Sequence, residues 1–265
     1  MTAAPASFLP FAHELADTAR TITARYWRQP VAVDHKADDS PVTIADREIE
    51  RALRDRIGAT HPDHGIEGEE YGAARQDAEF VWHLDPIDGT KSFITGRPLF
   101  GTLIALAHRG RPILGLIDHA VLDERWVGAA GQPTTWNRRE VRVRPCPSLA
   151  LAVSSLTHPQ MFTTPSEKAA WDRIEAAVRL PMYGGDCYGY GLLAMGYVDL
   201  ILEASLDTHD FMALVPVIEG AGGVMTDWNG EPLSASSAGQ VLAAGDPRIH
   251  RAALDLIAAD QQTLS

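Results

Sequence analysis

Six acidic side chains of this 265-residue chain sit where they could do chemistry together: Asp46, Glu69, Glu70, Asp85, Asp88 and Asp210. Each falls at an element end or in a turn. Asp46 lies in the first turn of a helix expected over residues 43–57, and Glu69 and Glu70 lie in a glycine-flanked loop. Asp85 and Asp88 end a strand, and Asp210 opens a helix. Carboxylates so placed can converge where chain ends gather. Like charges brought together repel by several kcal/mol unless a cation or a proton intervenes. Bound metal resolves that repulsion, and an all-oxygen ligand set selects hard cations, Mg²⁺ before zinc or copper.

The stretch Trp82-His83-Leu84-Asp85-Pro86-Ile87-Asp88-Gly89-Thr90 is the most informative. Pro86 stiffens the backbone between the two aspartates, so their carboxylates and the Ile87 carbonyl can ligate neighbouring metals. Gly89 permits a tight turn, residues 89–93 can open a short helix whose N-terminus favours phosphate, and the Thr90 hydroxyl can orient a water. The bland alternative is a plain turn, since Asp, Pro and Gly are turn residues. Other candidates carry less. His61-Pro-Asp-His64 has no partner cluster at ligand spacing and reads as a surface loop. Cys146 and Cys187 form no CxxC pair and read as two buried or idle thiols.

The elements that must position these residues follow from periodicity. Phe8, Phe11, Ala12, Leu15, Ala19, Ile22 and Tyr26 recur at three and four residues, an amphipathic helix over Phe8–Trp27. Strands are expected at 80–84, 99–108, 113–118 and 121–129, with a turn at Arg109–Pro112. The pattern changes around Pro145–Pro147, which divides the chain into an N-terminal unit, 1–147, and a C-terminal one, 148–265. In the second unit strands are expected at 149–155, 198–203, 224–227 and 241–244. Helices are expected at 167–178, 189–196, 211–219 and 249–259, with 183–186 a loop. Pro216 then bends its helix or sits in the first turn. Interleaved strands and helices predict a layered α/β or α+β sandwich.

Composition sets limits. Hydrophobic residues make up 45% and charged residues 22%, ordinary globular values. With 23 basic and 35 acidic residues the net charge is −12, which argues against nucleic-acid or anionic-membrane partners. Arg138, Arg139, Arg142 and Arg144 read as a solvated strand edge. No stretch approaches the roughly 18 apolar residues of a membrane span, and no secretory signal begins the chain, so a cytoplasmic location is expected.

The motifs together resemble the inositol monophosphatase superfamily. Asp85-Pro-Ile-Asp-Gly-Thr90 is similar to its first signature. Asp210 with Gly220-Ala-Gly-Gly223 is similar to its second, usually Trp-Asp-x-Ala-Ala and then Glu-Ala-Gly-Gly. Gly68-Glu69-Glu70 and Val42-Thr43-x-x-Asp46 match two further motifs, all in family order. The resemblance implies the αβαβα sandwich of the inositol monophosphatase and fructose-1,6-bisphosphatase type. It also implies Mg²⁺ dependence with two or three ions per subunit, Li⁺ inhibition, small phosphate-monoester substrates and a homodimer. Carried over by position, Glu69, Asp85 and the Ile87 carbonyl match ligands of one metal, and Asp85, Asp88 and Asp210 those of a second. Thr90, Glu69 and Asp46 match groups that orient the attacking water. Gly89 and Thr90 match phosphate donors, Glu203 a substrate contact and Lys36 a loop lysine near the metals. His209 and Met212-Ala213 depart from the usual Trp and Ala-Ala, which touches alcohol specificity rather than the metal ligand Asp210.

Lys91-Ser-Phe-Ile-Thr-Gly-Arg-Pro98, Tyr183-Gly-Gly-Asp-Cys-Tyr188 and Asp210-Phe-x-Ala-Leu-Val-Pro216 resemble the histidinol-phosphate phosphatase branch. Histidinol phosphate carries an ammonium and an imidazole, which suit an acidic pocket of Asp186 and Glu203. Asp186 reads equally well as a turn residue. The alternatives are a phosphatase for inositol phosphates, 3′-phosphoadenosine nucleotides or sugar phosphates, and a non-catalytic sensor that kept the fold. The full set of matched metal ligands weighs against the sensor.

Overall fold

The computed structural model describes residues 4–30, 33–35 and 41–259, so Lys36 lies outside the described residues. A short 3₁₀ turn leads into helix α1 (Leu9–Tyr26), whose buried Phe11, Ala12, Leu15, Ala16, Ala19 and Ile22 repeat the apolar spacing of the sequence. Strands β1 (Val33–His35) and β2 (Pro41–Thr43) pair antiparallel. Helix α2 (Ile44–Thr60) starts where Thr43 accepts the Ala45 N–H, the N-cap a threonine supplies. Its Ala45, Ile49, Leu53 and Ile57 face inward.

Eight strands then form the first sheet: β3 (Gly65–Gly68), β4 (Gly72–Ala74), β5 (Phe80–Asp88), β6 (Gly101–His108), β7 (Arg111–His119), β8 (Glu124–Ala129), β9 (Thr135–Trp136) and β10 (Arg139–Glu140). Helix α3 (Thr90–Ile94) follows β5 directly. The order is β10-β9-β8-β7-β6-β5-β3-β4, all antiparallel except β3 beside β5. In the second half come β11 (Val153–Leu156), α4 (Pro165–Ala177), β12 (Leu180–Tyr183), α5 (Cys187–Ala194) and β13 (Leu200–Glu203). The chain closes with α6 (Thr208–Phe211), α7 (Leu214–Gly220), β14 (Val224–Thr226), β15 (Val241–Ala244) and α8 (Pro247–Ala258). The second sheet runs β12-β11-β13-β15-β14.

Strand alternation sorts the side chains into three apolar clusters among five layers. Ile104 and Leu106 of β6 face α1 and α2, whereas Leu103, Ala105 and Ala107 face α5 to α7. In β15, Val241 and Ala243 join that central interface, while Leu242 and Ala244 pack on α4 and α8. The layers are therefore α1/α2, first sheet, α5–α7, second sheet, α4/α8, the αβαβα sandwich. Both inner faces are covered, so truncating Leu103 or Ile104 to alanine costs about 2–5 kcal/mol.

Several expected elements differ in detail. Residues 149–151 form a 3₁₀ turn and the strand begins at Val153. Strand β12, at 180–183, was absent from the sequence expectation because Pro181 and three exposed apolar residues do not alternate; it lies at a sheet edge, where proline is tolerated. The helix expected over 211–219 is two short helices, with Pro216 third in α7, in its first turn. His61 and His64 are packed against Phe8, Phe11 and Trp82, and the Trp82 indole donates to His64 Nδ1 at 3.1 Å, so this segment is more than a surface loop. Arg144 departs from the solvated run by forking onto Asp199. Both cysteines are buried and unpaired.

Candidate active site

The C-terminal end of β5 carries the site. Asp85 and Asp88 bracket a register shift in the pairing of β5 with β6, and Thr102 Oγ1 secures the bulge by donating to the Pro86 carbonyl at 2.8 Å. Gly89 then turns with φ +82°, and a Cβ there would lie 2.9 Å from Asp186 Oδ2, so both backbone and space require glycine. Helix α3 starts at the next residue, Thr90, whose hydroxyl donates to the Ile87 carbonyl at 3.1 Å.

Asp210 arrives from the other half of the chain. It is the third residue of α6, and its Oδ2 accepts the Asp207 N–H at 2.7 Å. The carboxylate oxygens of Asp85, Asp88 and Asp210 lie within 4.8 Å of one another. Among the described residues no lysine or arginine pairs with any of the three; the basic side chain nearest them is His209, 3.6 Å from Asp210. Burial pushes the Asp85 carboxyl well up, with Glu69, Asp88 and Asp210 adding repulsion. Burial, then Asp186 and Asp210, raise Asp88, and burial raises Asp210. Asp85 is 2% exposed and its Oδ1 has no hydrogen-bond partner. Three converging carboxylates with an orphaned buried oxygen form an all-oxygen donor set that fits a hard divalent cation.

Glu69 adjoins Asp85, and its N–H donates to the Leu84 carbonyl. The loop that carries it is held by Glu50, a fully buried carboxylate of α2 that the sequence reading missed. Glu50 accepts the Glu70 and Tyr71 N–H groups at 2.6 and 3.2 Å and is paired with Arg54 at 2.7 Å. Gly68 is small because a Cβ there would overlap the Glu50 carboxylate. The available signal was a glutamate on the inward face of α2, beside Ile49 and Leu53.

Asp46 is 1% exposed, and burial first, then Glu69, lift its carboxyl to about 6 against the hydrogen bonds from Thr43. Its Oδ2 accepts the Thr43 hydroxyl and N–H at 2.5 and 2.8 Å, while Oδ1 has no hydrogen-bond partner. The Thr90 hydroxyl donates to the Ile87 carbonyl and not to Asp46.

Beside the cluster lies a cavity of about 120 Å³, bordered by Asp88, Asp186, Tyr190, Glu203 and Asp210. Glu203 is 3% exposed, accepts the Thr157 N–H at 2.8 Å and the Tyr190 hydroxyl at 2.9 Å, and burial lifts it to about 7. Asp186 takes φ +44°, a strained value for a non-glycine residue, at the start of α5; Ser92 donates to its Oδ2 at 3.1 Å. Cys187 donates its N–H to Asp88 at 2.7 Å, which ties α5 to β5. A larger cleft of about 550 Å³ is lined by Glu67, Thr208 and His209 among others. Behind it His83, 1% exposed with both ring nitrogens unpartnered, stands 3.6 Å from Glu67; burial lowers it to about 4, so it is neutral. The structure thus brings together Asp85, Ile87, Asp88, Gly89, Thr90, Asp186, Glu203 and Asp210. Glu69 and Asp46 border the group, and Glu70 serves the Glu50 cap through its N–H.

Comparison with known proteins agrees with this arrangement. The family model described as "Inositol monophosphatase family" matches residues 4–265. "Bifunctional phosphatase IMPL2, chloroplastic" of Arabidopsis thaliana is 48% identical, over 94% of this chain and 74% of its own length. A histidinol-phosphatase of Chlorobaculum parvum is 34% identical, over 84% and 86%. The solved inositol monophosphatase of Zymomonas mobilis superposes with a TM-score of 0.89 at 45% identity, covering 96% of this chain and 99% of that one. No helix among the described residues is long and apolar enough to cross a membrane. With a family model matched along nearly its whole length, the chain belongs to the inositol monophosphatase family of phosphatases.

Proposed function

We propose that the chain is a Mg²⁺-dependent phosphomonoester hydrolase that converts L-histidinol phosphate and water to L-histidinol and phosphate. The observation that carries the hydrolase reading is the convergence of buried Asp85 with half-buried Asp88 and Asp210 without a lysine or arginine partner among the described residues. Glu69, Asp85 and the Ile87 carbonyl would hold one cation, and Asp85, Asp88 and Asp210 a second. Such a cation, when bound, supplies Lewis acidity and a more acidic water.

The chain's own groups do the rest. Glu69 and Thr90 orient the attacking water, with Asp46 as a further acceptor behind them. The backbone N–H groups of Gly89 and Thr90, at the start of α3, meet the phosphoryl oxygens. The charge that spreads over those oxygens during transfer meets fixed donors rather than mobile solvent. On the alcohol side, Asp186 and Glu203 border a cavity with no lysine or arginine in its lining, which suits an ammonium and an imidazole. The 34% identical histidinol-phosphatase supports the same choice. A homodimer in the cytoplasm completes the proposal.

The 45% identical Zymomonas mobilis neighbour favours inositol phosphate as the second reading. The two separate in a substrate panel with Mg²⁺ containing L-histidinol phosphate, inositol 1-phosphate and 3′-phosphoadenosine 5′-phosphate. A kcat/KM for L-histidinol phosphate at least tenfold above the others is expected. A preference for inositol 1-phosphate overturns the histidinol assignment, and no turnover of any ester overturns the hydrolase.

A further inference from the structure

Buried carboxylates survive only where donors or cations reach them, since an isolated charge in a protein interior is costly. Among the described residues no cation pairs with Glu203. Donors reach it from behind: Thr157, through its N–H on Oε1 and its side chain, and the Tyr190 hydroxyl on Oε2. The other ionisable groups lining its cavity are Asp88, Asp186, Asp210 and the Cys187 thiol, which burial keeps neutral; Lys91 and Arg97 act on Asp186 from outside the lining. Tyr190 is 1% exposed on α5, in the apolar layer between the sheets, so its ring is fixed by packing and its hydroxyl has one neighbour to serve.

We propose that Tyr190 is a positioning residue for alcohol specificity, holding the Glu203 carboxylate turned toward a cationic leaving alcohol. The inference rests on the reading of Glu203 as an alcohol-side carboxylate given above. The phenol proton stays on oxygen, because burial and the adjoining Glu203 push the Tyr190 hydroxyl far up. Its bond to the carboxylate is charge-assisted, roughly twice as strong as one between neutral groups. Without it Oε2 loses its hydrogen bond, and only Thr157 still holds the carboxylate. The carboxylate is then free to turn away from the alcohol, and its hold on a cationic group weakens. Phenylalanine fills the same space, so the loss is electrostatic rather than a cavity. Because the alcohol's positive groups are held alike before and during phosphoryl transfer, the change falls on KM and not on kcat.

The test uses four forms of the full chain with Mg²⁺: wild type, Tyr190→Phe, Glu203→Gln and the double variant. Each is assayed on L-histidinol phosphate and on p-nitrophenyl phosphate, whose leaving group carries no positive charge. Tyr190→Phe is expected to raise KM for L-histidinol phosphate about tenfold with kcat within twofold, and to leave p-nitrophenyl phosphate hydrolysis near wild type. In the Glu203→Gln background the same change is expected to add less than about twofold. Equal damage to both esters, or a full additive effect in the Glu203→Gln background, overturns the inference. A loss in Glu203→Gln with none in Tyr190→Phe overturns it and leaves the reading of Glu203 standing. No effect of Glu203→Gln, or no turnover of L-histidinol phosphate by wild type, overturns both.

Discussion

Asp118 and Asp85 are both buried aspartates of the first sheet, and the chain treats them oppositely. Asp118, 1% exposed, is held by Arg20 at 2.7 Å and Arg125 at 2.5 Å. Asp199 is treated likewise, with Arg144 forking onto it and the Val153 N–H added. Asp85 has neither arginine nor lysine among the described residues and stands beside Glu69, Asp88 and Asp210, which repel it. Where the chain needs a carboxylate for structure it supplies the counter-charge itself. At the end of β5 it withholds that charge, and the gap defines the place for a cation. Function is stored there as electrostatic stress that the rest of the fold must hold.

The contrast breaks most visibly under charge removal. Asp210→Asn or Asp88→Asn is expected to lower kcat roughly 10³-fold, the several kcal/mol of transition-state stabilisation a metal supplies. In cation-free buffer the same variants should be as stable as wild type or more so, because repulsion is relieved. Asp118→Ala should do the reverse, lowering stability on the order of 3 kcal/mol by stranding two arginines, with the folded fraction still active. Denaturant melts read alongside steady-state rates check both; a Asp88→Asn protein that is less stable than Asp118→Ala contradicts the contrast.

A smaller effect is expected one step from the ligands. Glu50→Gln should cost about 10–100-fold in activity by loosening the loop that carries Glu69, the usual size for a group that supports a ligand. An increase in the Mg²⁺ concentration needed for half-maximal rate would mark the route; unchanged Mg²⁺ dependence and rate would remove Glu50 from the account.

The smallest effect is on pH. Asp46 at about 6 and Glu203 at about 7 are raised in the folded state, so the native chain binds more protons than the unfolded one above pH 4. Cation-free stability should therefore be greatest near pH 4–5 and fall as pH rises through 6 and 7, provided other groups are constant. Thermal melts with EDTA across that range check the sign, and melts that rise monotonically to pH 7.5 would contradict it.

Much of this was legible in the sequence, for identifiable reasons. The Asp85-Pro-Ile-Asp-Gly-Thr90 turn is local, so spacing alone places its groups, and Asp210 was found by its motif. The layered fold followed from periodicities of two and 3.6 that the burial pattern repeats. Glu50, Thr157 and Tyr190 were not legible, because their partners lie 20, 46 and 13 residues away and meet only in the folded chain. Strand β12 was hidden by an edge position that needs no alternation. The Thr90 hydroxyl also takes a local acceptor, the Ile87 carbonyl three residues back, which its motif did not single out.

Equilibrium binding of Mg²⁺ to wild type, Asp85→Asn and Asp118→Asn, measured by calorimetry at pH 7.5 without substrate, tests the central claim most directly. Wild type and Asp118→Asn should bind at least one cation per chain with similar affinity, and Asp85→Asn should lose that binding by about 100-fold or more, since it removes a ligand shared by both cations. Unchanged binding to Asp85→Asn would contradict the account, for the uncompensated charge at the end of β5 would then have no cation to receive.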